Sequence, residues 1–309
     1  MSRGGAHAHA LRLRHAIALG LLQGPTELLP VSSSAHTTLV PFLAGWSHDE
    51  LDPTLRKSFE VALHAGTAAA LLTRRPYPQG EPRPALSALV AAVAPPALAG
   101  YALGSRIERR LGTPSTIAAG LLGGSVALAG GELAARARGA GRHDSTEDDG
   151  IGAPARQTPV AAGERRADEA GLRDGLAVGI AQALALIPGV SRSGAALAAA
   201  RARGFSRLDA DRLSWQAGML VLAGAALLQS LRLARSQPSA RTMATLAAGG
   251  LSAFASTRWS VAMLTPGRRS RALIACAGYR GALAALVIRR LRMAAASNAL
   301  PIPTKETLT

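Results

Sequence analysis

Gln23-Gly24-Pro25-Thr26-Glu27-Leu28-Leu29-Pro30-Val31-Ser32-Ser33-Ser34-Ala35-His36 is the stretch on which the reading of this chain turns. It interrupts an apolar run, residues 11–44, with a carboxylate, two prolines, three serines and a histidine. At membrane depth, non-helical backbone is tolerated only where it is buried in protein or lines a water-filled cavity. An ionisable residue there marks a functional site. A second stretch, Ile187-Pro188-Gly189-Val190-Ser191-Arg192-Ser193-Gly194, breaks the apolar run 173–200 in the same manner.

The two stretches are related. An offset of 159 residues carries Gly20 onto Gly179, Gln23 onto Gln182, Val31 onto Val190, Ser32 onto Ser191 and Ser34 onto Ser193. The same register carries Gly45 onto Gly204, Trp46 onto Phe205, Ser47 onto Ser206 and Asp52 onto Asp211. Matches of Gln, Asp, Ser and aromatic residues without a gap indicate a duplication. Duplicated membrane halves commonly pack about a pseudo-two-fold axis, with broken helices meeting near the midplane to form the site. Residues 23–36 and 182–194 are then facing parts of one site.

The surroundings agree with a membrane protein. Six further stretches, 59–73, 85–104, 115–136, 213–233, 242–264 and 271–288, approach the about 20 apolar residues that a span needs. The expected fold is all-α and polytopic, with two inverted-topology repeats that each carry a re-entrant broken helix. The expected organisation is an N-terminal repeat over 1–136, a polar, disordered linker over 137–172, a C-terminal repeat over 173–293 and a mobile tail over 294–309. The basic N-terminal segment is read as retained, because Gln23, Pro25 and Glu27 follow its apolar run with no small-residue cleavage site before them.

Composition excludes other classes. The 309 residues are 48% hydrophobic and carry a net charge of +16, which could suggest nucleic acid. The basic residues are nearly all arginines placed between apolar blocks, as at Arg106 to Arg110 and Arg289 to Arg292, where lipid headgroups would meet them. With only 3% aromatic residues there are few platforms for stacking bases, so no nucleic-acid partner is expected. The single cysteine, Cys276, rules out a disulfide framework. Arginines on several loops leave the orientation undecided.

The interrupting residues suggest phosphate chemistry. Gln23 and Glu27 share one helix face; Glu27 could ligate a divalent cation with Gln23 beside it, act as a base, or be structural. Ser32, Ser33 and Ser34 offer hydroxyls and backbone amides to a phosphate, and His36 could be a nucleophile or a general acid or base. Arg192, between Ser191 and Ser193 and after Gly189, presents a guanidinium fork suited to phosphate. Glu60, His64 and Thr67 form a second polar cluster, read as support for the site or as structure.

These motifs resemble the undecaprenyl-diphosphatase, or bacitracin-resistance, family. The resemblance rests on Gln23 and Glu27, on Leu29 to His36, on the run 181–187 and on Pro188 to Ser193, with weaker matches at Phe59 to Thr67, Gly204 to Arg207 and Tyr279-Arg280. It implies a multi-pass enzyme of the bacterial inner (plasma) membrane. Such an enzyme hydrolyses undecaprenyl diphosphate to undecaprenyl phosphate and inorganic phosphate, recycling the lipid carrier for wall polymers.

The resemblance further implies catalysis by Glu27, Ser33, His36 and Arg192. The diphosphate would be bound by Ser32, Ser34, Gly189, Ser191 and Ser193. A divalent cation, Mg2+ or Ca2+, would sit at Gln23 and Glu27. Whether Ser33, His36 or water attacks is left open, and a homodimer is the assembly considered. Ala35 and Ala196 stand where the family has glycine and threonine, and Leu220 where it has proline. A flippase for a lipid phosphate, without hydrolysis, is the rival reading of the same repeat.

Overall fold

The computed structural model describes residues 11–46, 51–74, 77, 83–137, 164–235, 238–266 and 272–298. These residues are helical throughout, apart from short connections and one isolated bridge between Arg165 and Phe205. The helices are α1 (Leu13–Leu28), α2 (Ser33–Ala44), α3 (Pro53–Thr73), α4 (Leu86–Leu111), α5 (Pro114–Ala137), α6 (Leu172–Leu184), α7 (Arg192–Ala202), α8 (Arg207–Arg235), α9 (Ala240–Met263) and α10 (Leu273–Asn298). The described part of each of the six expected apolar stretches falls, within a residue or two at its ends, on one of these helices. Among the described residues, three segments, 86–107, 114–137 and 207–235, are long and apolar enough to cross a membrane. Large apolar side chains such as Leu86, Leu98, Tyr101 and Val126 face outward, as a lipid-facing surface requires.

Both interrupted runs break where the sequence places its prolines. α1 stops at Leu28, and Leu29, which precedes Pro30, takes an extended conformation, as the residue before a proline prefers. The chain then passes through Ser32 at φ 74° and starts α2. In the second run α6 stops at Leu184, Gly189 adopts φ 97°, and Ser191, at φ 69°, caps α7. Ser32 and Ser191 are the only non-glycine residues at positive φ among the described ones. Such a conformation costs about 1–3 kcal/mol and persists only where surrounding contacts enforce it.

Small residues let the broken helices lie close to their neighbours. α1 packs along α9, and α6 along α4. A methyl group on Gly20 would run into the Gly249 carbonyl and Ser252, and one on Gly24 into Ser256. Gly175 and Gly179 meet Ala88 and Ala91 of α4 in the same way. α5 packs along α10, and α3 lies against both α9 and α8.

Most of the expected linker lies outside the described residues, as do 299–309 of the expected tail. The linker's end is packed against the fold. Arg165 lies 4.4 Å over the Phe205 ring and donates to both oxygens of Asp174 at 2.9 and 2.8 Å. Residues 294–298 form the last turn of α10. Nearby, Glu132 of α5 is buried and accepts from Arg136, Arg201 and Arg207, which joins α5, α7 and α8.

Candidate active site

Glu27, in the last turn of α1, is the hub. Its Oε1 accepts from Arg192 Nη2 at 2.6 Å, and its Oε2 accepts from Ser33 Oγ at 2.6 Å and from Gln23 Nε2 at 3.2 Å. Arg192 also donates to the Gly218 carbonyl of α8. The ion pair therefore spans the two broken helices, residues 165 positions apart in the chain. It is a paired, hydrogen-bonded charge, the form in which a buried carboxylate is tolerable.

A cavity of about 300 Å3 opens beside this pair. Its polar lining is Glu27, Ser32, Ser33, Ser34, Ser191, Arg192 and Ser193, together with Lys57, Glu60 and His64 of α3. Its apolar wall is Ala185, Leu186, Val221, Leu222, Ala225 and Ala226. A smaller cavity of about 30 Å3 lies on the other side of Glu27 and Arg192, toward Asp211 and Trp215.

The first turns of α2 and α7 both line the large cavity. Helix N-termini carry amides without intrahelical partners and a partial positive charge, so each favours an anion. The two turns have matching detail. Ser32 Oγ lies 3.3 Å from Ser34 Oγ, and Ser191 Oγ lies 3.4 Å from Ser193 Oγ. With Arg192 added, the polar end of the cavity suits a phosphate, and the apolar wall suits a hydrocarbon chain.

Arg280 explains how the strained loops are held. It is fully buried on α10 and donates to the carbonyls of Pro30 at 3.1 Å, Gly189 at 2.9 Å and Val190 at 2.8 Å, with Leu121 at 3.4 Å. One guanidinium thus ties the first serine loop to the second. Sequence reasoning had it only as a weak match near the C-terminus, since a lone arginine in an apolar helix says nothing of carbonyls contributed by two distant loops.

Not every expected site residue meets the cavity. His36 is buried and turned toward α10: its Nδ1 donates to the Ser32 carbonyl at 2.7 Å, and its Nε2 accepts from Tyr279 Oη at 2.7 Å. Both ring nitrogens are therefore occupied. Gly189 packs against Ile117 and Gly120 of α5, with its carbonyl on Arg280. Gln23 is buried behind Glu27, its Oε1 without a partner. The histidine that faces the cavity is His64, whose Nε2 lies 3.8 Å from Glu27 Oε2.

Glu27 and Gln23 are the side chains whose oxygens could hold a divalent cation at this site. Among the described residues no three His, Cys, Asp or Glu side chains converge on one point. Magnesium, however, is commonly held by one or two carboxylates together with substrate phosphates. The buried, unpartnered Gln23 Oε1 supplies a further oxygen once its amide is turned over, an assignment that rests on the hydrogen-bond network alone.

A helical membrane protein with a polar-ended cavity between two interrupted helices is the class that fold and site define. The chain belongs to the family of the bacitracin resistance protein BacA, whose model matches residues 16–286. It is 36% identical over 269 residues to the undecaprenyl-diphosphatase of Geobacter sulfurreducens, covering 82% of this chain and 88% of that one. It is 34% identical to that of Pelobacter propionicus, covering 87% and 94%, and 35% identical to that of Acidiphilium cryptum, covering 78% and 85%.

Proposed function

We propose that this protein hydrolyses undecaprenyl diphosphate to undecaprenyl phosphate and inorganic phosphate in the bacterial inner membrane, as a multi-pass enzyme. The observation that carries the reading is the Glu27–Arg192 pair at a cavity with one phosphate-binding end and one apolar wall. The relatives' names point to the same reaction and lend nothing to a flippase without hydrolysis.

In this reading Arg192, Ser191 and Ser193 clamp the diphosphate from one side, and Ser32 and Ser34 from the other. Gly189 serves by its conformation, which brings Ser191 into the site. Ser33 is the hydroxyl best placed to attack the terminal phosphorus, because its proton already lies in a 2.6 Å hydrogen bond to Glu27. The bridging oxygen leaves with the lipid phosphate, and water then releases the phosphate from Ser33. His36 supports Ser32 from behind and takes no part in the transfer. A divalent cation, held by Glu27 and Gln23, would neutralise the diphosphate as charge develops.

The two-repeat architecture belongs to the same proposal. It is supported by the matched loops at Ser32 and Ser191 and by the matched packing of α1 on α9 and α6 on α4. α1 with α2, and α6 with α7, are then re-entrant pairs in repeats 1–136 and 173–293. The test is product analysis: undecaprenyl diphosphate should give undecaprenyl phosphate and phosphate in equal amounts, and Ser33→Ala should lower the rate at least about 100-fold. Ser33→Ala protein at the full rate would remove Ser33 as nucleophile.

A further inference from the structure

We propose that Lys57 binds the phosphate that stays on the lipid, taking it in exchange for Glu60. The inference rests on the reading above that the cavity holds a lipid diphosphate, and it adds a cation from α3, a helix outside both broken runs.

Lys57 stands at the far end of the cavity from Arg192. α3 and α8 run antiparallel beside it. Tyr77, beyond the end of α3, donates to Asp211 near the start of α8 at 2.5 Å, and Ala68 and Leu71 pack in one cluster with Leu222 and Ala226. Going back along α3 therefore means going forward along α8. That brings Lys57 and Glu60 to the level of Gln229, which lines the cavity with them. Arg192 is bonded to Gly218, about three turns earlier on α8.

The spacing suits two linked phosphates. Lys57 precedes His64 on α3, and its ion pair with Glu60 at 3.3 Å folds the ammonium back toward the site. The ammonium then sits about one turn, about 6 Å along the helix, before His64, whose Nε2 lies 3.8 Å from Glu27 Oε2. The terminal phosphate belongs at Glu27, Ser33 and Arg192. The next phosphate lies one bridging oxygen further along the cavity, because the bond to be broken points away from the attacking hydroxyl.

The charges point the same way. Among the described residues that line the cavity, the side chains of fixed positive charge are Arg192 and Lys57. Arg192 is bound to Glu27 and to the Gly218 carbonyl, so much of its charge is compensated. Lys57 is held more loosely. It and Glu60 are partly exposed and three residues apart on one helix, a kind of pair that contributes little to stability. An ammonium is a compact charge on a flexible stem, so it can turn from Glu60 to a phosphate without any movement of α3. Beside the apolar wall its attraction to that phosphate is screened less than in water. When the bridging oxygen leaves, charge builds on this same phosphate, with Lys57 beside it. Glu60 takes Lys57 back as the lipid phosphate departs.

The two products report the two ends of the cavity separately. Inhibition of phosphate release by undecaprenyl phosphate reads the Lys57 end, and inhibition by inorganic phosphate reads the Arg192 end. Lys57→Gln is expected to weaken undecaprenyl phosphate about 10–100-fold and to leave inorganic phosphate near its wild-type value, with Lys57→Arg recovering most of the loss. Glu60→Gln is expected to tighten undecaprenyl phosphate, an opposite sign that a pair serving only to stabilise α3 would not give. Equal weakening of both products by Lys57→Gln, or no weakening of undecaprenyl phosphate, would overturn the assignment. Direct titration of undecaprenyl phosphate into the purified full-length protein separates the two readings. If release persists while that binding is indifferent to Lys57→Gln, the subsite fails and the diphosphatase stands. If release is absent while that binding is lost in Lys57→Gln, the reaction fails and the subsite stands.

Discussion

Arg192 of α7 donates to Glu27 of α1 at 2.6 Å, and this contact joins the two interrupted helices at the floor of the cavity. Arg192 reaches the Gly218 carbonyl with its other terminal nitrogen, so the guanidinium bridges three helices. A lysine brings one nitrogen where the guanidinium brings two in a fixed fork, so it does not reproduce the geometry of both contacts. Arg192→Lys is expected to retain weak substrate binding and to lose turnover by about 100-fold. Steady-state kinetics on undecaprenyl diphosphate check this, with the loss falling on kcat more than on KM.

Arg280 is expected to matter for both folding and turnover. Its removal leaves the carbonyls of Pro30, Gly189 and Val190 buried without a donor. Leaving one such group unsatisfied costs about 1–3 kcal/mol. Arg280→Met should lower the thermal midpoint in detergent by several degrees and lower kcat, because Ser32 and Ser191 lose their support together. Arg280→Lys should recover part of the midpoint and little of the rate.

The position of His36 gives a third expectation. It holds the Ser32 carbonyl and is itself held by Tyr279. Tyr279→Phe and His36→Gln should therefore act alike, lowering stability and rate together. The shape of the pH–rate profile should stay as in wild type. A profile that loses one limb in His36→Gln alone would return His36 to the chemistry.

In the first turn of α6, outside the three segments apolar enough to span, Asp174 gives a pH dependence. Burial would raise its pKa, but hydrogen bonds from Arg165, the Gly171 amide and Arg203 outweigh burial and hold the carboxyl well below the usual carboxylate range. A depressed folded pKa means stability that is full above the unfolded value of about 3.9 and declines as pH falls below it. Thermal midpoints measured from pH 6 down to pH 3 should fall, and Asp174→Asn should flatten that fall while starting from a lower midpoint.

Much of this arrangement was legible in the chain. Pro30 and Pro188 mark the two breaks, and the 159-residue register pairs Ser32 with Ser191. Glu27, Ser33 and Arg192 stood out because polar groups in apolar runs need partners, and each was found with the others. The surroundings of His36 were not legible. It follows the serines in the same helix, but its ring nitrogens are taken by the Ser32 carbonyl and by Tyr279 of α10. His64 and Arg280 were hard to weigh, because their partners come from remote segments. Glu27 reaches His64 across α1 and α3, and the carbonyls on Arg280 come from two loops that only the packing of α10 brings together.

The most direct test is phosphate release from undecaprenyl diphosphate by the purified protein in detergent, with and without magnesium or calcium. Cation-dependent release, reduced at least about 100-fold in both Glu27→Gln and Arg192→Ala, is the expected result. A folded wild-type protein that releases no phosphate, or an Arg192→Ala protein that keeps the full rate, would contradict the account.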